Sequence, residues 1–210
     1  FDEKSVTMDE LIKACAADWK GYEYLQKRCL KVPKFGNDDD YADNILYDMY
    51  RKAAATIKNV KSCFGTPFMP EATLAAGYFF GGVSTGATPD GRKKRETVSD
   101  AQLSPMRGRD KNGPTAVLKS CSKIKVADTW NQLFNQKLPP DFLKGSNKKL
   151  FADYLKTWHG FGNWHIQINC QDAGELKGAQ IHPQRHEHLV VRVAGYSAHF
   201  TDLTRGLQDD

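Results

Sequence analysis

The chain has the length, composition and charge of an ordinary globular protein. Of its 210 residues, 40% are hydrophobic and 26% are charged, which excludes collagen-like, disordered and disulfide-scaffold proteins. The 30 Lys and Arg residues outnumber the 25 Asp and Glu residues only slightly. This excess permits an acidic partner without requiring a nucleic acid. No apolar run approaches the roughly 20 residues that cross a bilayer, so we expect no membrane partner.

The N-terminal part is predicted to be helical. Thr7 and Glu10 form a capping box, and apolar residues at helical spacing predict one helix that ends before Pro33. A second helix begins at the acidic run 38–40. Three carboxylates in a row could bind a divalent cation, but the helix dipole also favours acidic residues at an N-terminus, and we prefer that interpretation. The predicted buried face of this helix consists of Ile45, Met49, Ala53 and Ile57.

Residues 62–114 are rich in Gly, Pro, Ser, Thr and Asp and have little helical periodicity. Long irregular segments inside a compact domain are usually functional. The glycine-rich stretch 81–88 lacks the Lys-Ser/Thr pair of a phosphate-binding loop, so we interpret it as backbone that turns tightly and approaches another segment. The basic run 92–95 has no interleaved aromatic residues, which argues against a nucleic-acid surface. It favours a solvated loop, or one that docks on an acidic surface.

Two strand segments are predicted in the C-terminal part. Apolar and polar residues alternate in residues 163–170, with Gln167 and Asn169 on the polar face. Asp172 and Glu175 form a second capping signal, which predicts a helix that ends at Pro183. Residues 189–193 are apolar and β-branched, and Gly195 interrupts this segment. Helices and strands with short connections indicate the α/β class.

Histidines and cysteines give no strong local signature. His182, His186 and His188 could hold a metal, but a surface loop is the favoured interpretation, and we predict no metal site. The five cysteines are widely spaced and form no Cys-x-x-Cys pair, which argues against a zinc site or a redox dithiol. Their odd number, without a signal peptide, predicts a reducing cytoplasm.

The most specific pattern lies near the C-terminus. The segment Arg192-Val193-Ala194-Gly195-Tyr196-Ser197-Ala198-His199-Phe200 closely resembles the glycyl radical motif Arg-Val-x-Gly-Tyr-x-x-x-Phe. This motif is typical of the glycyl radical enzymes, the family of pyruvate formate-lyase and its dehydratase, decarboxylase and X-succinate synthase relatives. Further blocks resemble the same family in order along the chain, at residues 34–41, 86–92, 110–116, 133–137 and 165–169.

The resemblance implies a fold and a set of site residues. Residues 1–145 would form the C-terminal part of a ten-stranded α/β barrel, and residues 146–210 would form the glycyl radical domain. Gly195 would be the catalytic residue, because it would carry a Cα radical. Glycine alone has no Cβ to hinder a planar radical centre. The surrounding radical-loop motif would consist of Arg192, Val193, Tyr196 and Phe200.

The resemblance also implies a reaction and partners. A radical-SAM activating enzyme with a [4Fe-4S] cluster would remove a hydrogen atom from Gly195, and no metal or organic cofactor would stay bound. The glycyl radical would generate a thiyl radical on a cysteine, which would abstract hydrogen from a small-molecule substrate. The outcome would be anaerobic, oxygen-sensitive lyase chemistry: C–C, C–O or C–N cleavage, or addition to fumarate.

None of the five cysteines has the Gly-Cys context of the family's catalytic cysteine. We therefore expect the chain to be the C-terminal portion of a longer enzyme, or one polypeptide of a split enzyme. Its partner would be the upstream part that carries this cysteine, and the complete enzyme would be a homo-oligomer.

Substrate specificity and one alternative function stay open. Leu74 and Ala75 correspond by position to a substrate-binding stretch of the family, where small apolar residues would leave room for a bulky or hydrocarbon substrate. The alternative is a non-catalytic spare-part subunit that restores an oxygen-cleaved glycyl radical enzyme. The family blocks upstream of Gly195 argue against it.

Overall fold

The structure is a computed structural model that describes residues 5–71, 77–129, 131–193 and 195–209. Helices and strands occur together, which confirms the α/β class expected from the sequence. None of the helices in these ranges is long and apolar enough to cross a membrane. The helices are α1 (Met8–Ala16), α2 (Glu23–Lys31), α3 (Asp40–Lys58), α4 (Gly77–Ser84), α5 (Pro114–Lys123), α6 (Asn147–Gly160), α7 (Ala173–Ile181) and α8 (Arg205–Gln208), and the strands are β1 (Leu133–Leu138), β2 (His165–Cys170), β3 (Val190–Arg192) and β4 (Ser197–His199).

A parallel strand pair and its crossover helix organise the main core. β1 and β2 run parallel, with Leu133 opposite His165, and α6 provides the crossover that parallel neighbours require. Trp158 of α6 stacks on Phe134 of β1, with ring centroids 5.1 Å apart. The other buried members of this core are Leu103, Val117, Leu118, Cys121, Ile124 and Tyr154.

The C-terminal strands form an antiparallel hairpin. β3 and β4 pair directly, and the connection between them includes Gly195, where the sequence predicted an interruption. Leu189 before β3 and Phe200 after β4 are buried together with Ala179 of α7. This small core fixes the base of the hairpin and leaves its turn outside.

The capping signals of the sequence are confirmed. Thr7 Oγ1 accepts a hydrogen bond from Glu10 N at 3.2 Å, and Asp172 Oδ1 accepts one from Glu175 N at 2.9 Å. Asp39 is the N-cap of α3 and accepts two backbone N–H bonds. The acidic run therefore serves a helix N-terminus, as we preferred.

The single N-terminal helix predicted up to Pro33 is wrong, because the chain turns between α1 and α2. Asp18 and Trp19 adopt the left-handed region, with φ of 53° and 65°. The Trp19 side chain is buried, and its Nε1 donates to the Arg92 carbonyl at 3.1 Å. Burial of the indole with its N–H paired favours the turn over a continuous helix.

The predicted buried face of α3 is also wrong. Helix α3 instead buries a neighbouring stripe that consists of Asp43 and Ala54, with Leu46 and Tyr50 packed against the main core. Asp43 is fully buried, and its Oδ2 accepts from Ser120 Oγ at 2.8 Å and from Lys123 Nζ at 2.7 Å. A paired charge of this kind is invisible to a hydrophobic pattern. The residues that lie exposed are Ile45, Met49, Ala53 and Ile57.

The irregular segment is held together by one arginine. The helix α4 occupies residues 77–84, so the irregular, tightly turning backbone predicted there is wrong. The predicted close approach is confirmed, because a Cβ at Gly82 would meet the Glu96 carbonyl oxygen at 2.5 Å. Arg92 is 2% exposed, and its guanidinium donates to the carbonyls of Glu96 and Lys93 at 2.6 and 3.1 Å and to the carbonyl of Gly86. The solvated-loop interpretation is therefore wrong for Arg92.

Candidate functional site

Gly195 lies exposed in the turn of the β3–β4 hairpin. Its φ is 75°, in the left-handed region that glycine adopts without steric cost. No described atom lies within 4 Å of the position that a Cβ would take. The requirement for glycine is therefore conformational rather than steric. The turn itself is closed by a 2.9 Å hydrogen bond from Val193 N to the Tyr196 carbonyl.

One side chain of β2 contacts the hairpin turn directly. Gln167 Oε1 accepts hydrogen bonds from Gly195 N and from Arg192 Nε, each at 3.0 Å. Both groups are donors, which assigns the amide oxygen to the hairpin side. Gln167 is only 8% exposed, and its Nε2 has no hydrogen-bond partner within the described residues.

Two more amide side chains continue this contact along the hairpin. Asn169 bonds both backbone groups of Arg192, and Gln171 Nε2 donates to the Val190 carbonyl at 2.9 Å. Positions 167, 169 and 171 alternate along an extended segment and therefore share one face. The polar face predicted for this strand is thus the support of the hairpin.

The motif residues have different environments. Phe200 is 4% exposed and anchors the hairpin on α7, whereas Tyr196 is 48% exposed at the turn. Val193 is half-buried. Arg192 reaches the same acceptor as Gly195. The structure therefore brings Arg192 and Gly195 together, places Phe200 in the core, and leaves Tyr196 in solvent.

A cavity of 370 Å³ lies beside the hairpin, within the range of about 300–1,000 Å³ that is typical of small-molecule sites. Tyr78 lines it as well. Leu74 and Ala75, the predicted substrate-binding residues, lie outside the described residues. The cavity walls come from β1, α7 and β3 with its following residue, through Leu138, Leu176, Val191, Arg192 and Val193.

The cysteines are all unpaired thiols. Cys170 belongs to β2, but it occupies the face opposite to Gln167 and Asn169, and burial raises the pKa of its thiol. Cys121 is fully buried, and burial raises the pKa of its thiol strongly. A raised pKa disfavours the thiolate and describes a packing cysteine.

The histidine cluster does not assemble into a metal site in the described ranges. The rings of His186 and His188 lie 6.4 Å apart. No group of three or more His, Cys, Asp or Glu residues that could hold a metal occurs there.

The supporting roles of Gln167 and Asn169 were missed by sequence reasoning. Strand alternation places both on a polar face, but their partners lie 28 and 23 residues further along the chain. The sequence signal that could have indicated these roles is three uncharged amide side chains at alternate positions. A strand face that contacts only solvent usually carries charged residues.

Comparisons with known proteins agree with this geometry. The family described as Glycine radical matches residues 99–201, and the family described as Pyruvate formate lyase-like matches residues 1–75. The chain is 38% identical to the trans-4-hydroxy-L-proline dehydratase of Clostridioides difficile and 36% identical to the isethionate sulfite-lyase of Bilophila wadsworthia. All of the chain aligns in both cases, but it spans only 27% and 26% of their lengths.

A solved structure gives the same result. The B12-independent glycerol dehydratase from Clostridium butyricum, with glycerol bound, superimposes with a TM-score of 0.94 at 36% identity. The match covers all of this chain and 27% of that one. These relatives are lyases that share the glycine radical region. The chain therefore belongs to the glycyl radical enzyme family.

Proposed function

We propose that this chain is the radical-bearing C-terminal portion of a glycyl radical lyase, with the radical stored at the Cα of Gly195. The position of Gly195 is the observation that supports this most directly. It lies in the turn of the β3–β4 hairpin with a left-handed φ of 75°, and Gln167 of β2 accepts a hydrogen bond from its N–H. A glycine held in this way offers a Cα without a side chain for the removal of a hydrogen atom.

The backbone chemistry at Gly195 favours a lasting radical. Removal of a hydrogen atom leaves a planar Cα that conjugates with the amide nitrogen on one side and with the carbonyl on the other. A Cβ would crowd this planar arrangement, and glycine has none. Activation would be performed by a radical-SAM enzyme with a [4Fe-4S] cluster, so this enzyme is the first proposed partner.

The working radical would be formed by hydrogen-atom transfer. A cysteine S–H bond breaks, a C–H bond forms again at Gly195, and the unpaired electron moves to sulfur. The thiyl radical then takes a hydrogen atom from the substrate. The thiol formed in this step gives a hydrogen atom back to the product radical, which regenerates the thiyl radical. Cys121 is buried and Cys170 lies on the strand face opposite to the hairpin, so neither suits this role. The cysteine would therefore lie in the upstream part, the second proposed partner.

The substrate would be a small organic molecule. Relatives with similar C-terminal regions carry names of dehydratases, sulfite-lyases and decarboxylases, so the bond type is not fixed by this region. The 370 Å³ cavity beside Val191 and Arg192 is large enough for such a molecule. Small apolar residues at Leu74 and Ala75 would favour a bulky or hydrocarbon substrate.

The organisation of the complete enzyme follows from the same proposal. Residues 1–145 would complete a ten-stranded α/β barrel, and residues 146–210 would form the radical domain. β1 and β2 pair across this division, which would join the two parts tightly. The complete enzyme would be a homo-oligomer in an anaerobic, reducing cytoplasm, where five unpaired cysteines are stable.

Oxygen cleavage tests the proposal. Dioxygen adds to a Cα radical and breaks the chain at that residue. The complete enzyme is activated anaerobically, exposed to air and measured by mass spectrometry. We expect cleavage at Gly195 and an intact Gly195→Ala control. An enzyme that stays intact after verified activation would contradict the proposal.

The spare-part alternative has a separate readout. The chain is added to an oxygen-cleaved glycyl radical enzyme, and rescue of its activity would support that role. The match of residues 1–75 to the Pyruvate formate lyase-like family favours the lyase, since a replacement for the radical domain would not need them.

A further inference from the structure

Gln167 is a buried amide whose described hydrogen bonds all go to the hairpin that carries Gly195. Its Oε1 accepts from Gly195 N and Arg192 Nε, and its Nε2 has no described partner. Burying an amide is costly unless its polar atoms are bonded. The two hydrogen bonds from the hairpin therefore offset the free-energy cost of burying the Gln167 side chain.

We propose that Gln167 is a positioning residue for the radical, which fixes the amide plane of Gly195 and strengthens the delocalisation of the unpaired electron. The inference rests on the proposed radical at Gly195. It adds a residue on β2, outside the radical-loop motif, whose side chain fixes the orientation of the Gly195 amide.

The hydrogen bond between Gly195 and Gln167 restrains the turn of the hairpin. Gly195 has the widest conformational freedom of any residue type, and φ of 75° is one of several states open to it. The hydrogen bond to Gln167 selects one orientation of its amide. Arg192 donates to the same oxygen and so keeps the carboxamide from rotating its nitrogen toward the hairpin. A displacement of about 1 Å can slow a reaction about 100-fold, so a loose turn would slow hydrogen transfer.

The same hydrogen bond also affects the electron density on the nitrogen of Gly195. A hydrogen bond from its N–H to an amide oxygen increases electron density on that nitrogen. A nitrogen of higher electron density donates more strongly into the half-filled orbital at Cα. The bond to Gln167 Oε1 would therefore be visible in the hyperfine pattern of the radical, which a purely structural contact would not change.

Three variants of the complete enzyme separate these effects. Gln167→Leu removes the acceptor at similar volume. Gln167→Glu keeps one oxygen that accepts hydrogen bonds from Gly195 and Arg192. Its second oxygen takes the place of Nε2, which makes no hydrogen bond within the described residues, so no further bond is lost. Asn169→Leu is the matched control, because it also removes two hydrogen bonds from the hairpin but none from Gly195.

The measurements are radical content and hyperfine splitting by anaerobic EPR, together with kcat and KM. Gln167→Leu should lower kcat about tenfold or more with little change in KM, and should alter the splitting. Gln167→Glu should restore kcat to within about threefold of the wild type. Asn169→Leu should lower kcat through a looser hairpin, but it should keep the wild-type splitting because the hydrogen bond from Gly195 N to Gln167 Oε1 remains.

Three results would overturn the inference. These are wild-type kcat and splitting in Gln167→Leu, a Gln167→Glu enzyme no better than Gln167→Leu, or an Asn169→Leu enzyme with the same altered splitting. The absence of any doublet in the wild-type enzyme, with a competent activating enzyme, would instead be a failure of the proposed function.

Discussion

The carboxamide of Asn169 pairs with both backbone polar groups of Arg192. Its Oδ1 accepts from Arg192 N at 2.9 Å, and its Nδ2 donates to the Arg192 carbonyl at 2.6 Å. A side chain of β2 thus takes the place of a neighbouring strand at the last residue of β3. Because Gly195 follows three residues later, this contact fixes where the glycine hairpin begins.

Asn169→Asp should loosen the hairpin. The variant keeps the acceptor for Arg192 N but replaces the donor with an oxygen that faces the Arg192 carbonyl. Loss of this bond should raise amide hydrogen exchange in residues 190–199 about tenfold, as measured by mass spectrometry on the complete enzyme. Exchange in α6 should stay unchanged. Equal exchange of the hairpin in both proteins would contradict the assigned role of Asn169.

An ion pair at the start of α3 predicts a pH dependence of stability. The hydrogen bond from Lys119 holds the pKa of the Asp38 carboxyl below its usual range. A carboxyl whose pKa is lowered in the folded state adds stability above its unfolded pKa of about 3.9, and this stability is lost as pH falls through the folded pKa. The contribution is therefore present at neutral pH and absent in strong acid.

Asp38→Asn should remove this dependence. Asparagine tolerates the left-handed φ of 57° found at this position, so the variant changes charge without new backbone strain. We expect the melting temperature of the complete enzyme to fall by about 2 °C at pH 7. The difference should shrink as pH falls below the unfolded pKa of about 3.9 and through the lowered folded pKa. High salt should also reduce it. A difference that is independent of pH would exclude the ion pair as its cause.

The fold could be predicted from the sequence where local chemistry decides it. The capping residues Thr7 and Asp172 act within one helical turn, and both predictions are confirmed. The alternation of β2 correctly placed Gln167 and Asn169 on one face. These signals need no knowledge of distant residues.

The failures have a common physical cause, which is contact between residues far apart in sequence. The turn at Trp19 depends on Arg92, 73 residues away. Asp43 on the buried face of α3 depends on its partner Lys123, 80 residues away, and a hydrophobic pattern contains no term for such a pair. Leu46, Tyr50 and Ala54 recur at helical spacing beside it, so the helix carries two apolar stripes. Only contact with the main core decides which of the two is buried.

Only part of the candidate site could be predicted, because its members also lie far apart in sequence. The motif identified Gly195 and its neighbours, and the structure places them in one hairpin. The residue that holds the glycine, Gln167, lies 28 positions away on another strand. Only the fold brings the two together.

Cys170 should be dispensable for radical transfer. It is the cysteine of β2, but it lies on the face that points away from the hairpin. We expect Cys170→Ala in the complete enzyme to keep turnover within about twofold of wild type, with unchanged radical content. Loss of turnover with a retained glycyl radical would identify Cys170 as the thiyl residue and contradict the placement of that cysteine upstream.

The most direct test of the central claim is an anaerobic EPR spectrum of the complete enzyme after treatment with its radical-SAM activating enzyme, beside a Gly195→Ala control. The control is informative because a Cβ at residue 195 meets no described atom, so alanine costs only about 1 kcal/mol of backbone strain. We expect a doublet near the free-electron value in the wild type and none in the control. A doublet that survives in Gly195→Ala would contradict the assignment of the radical to Gly195.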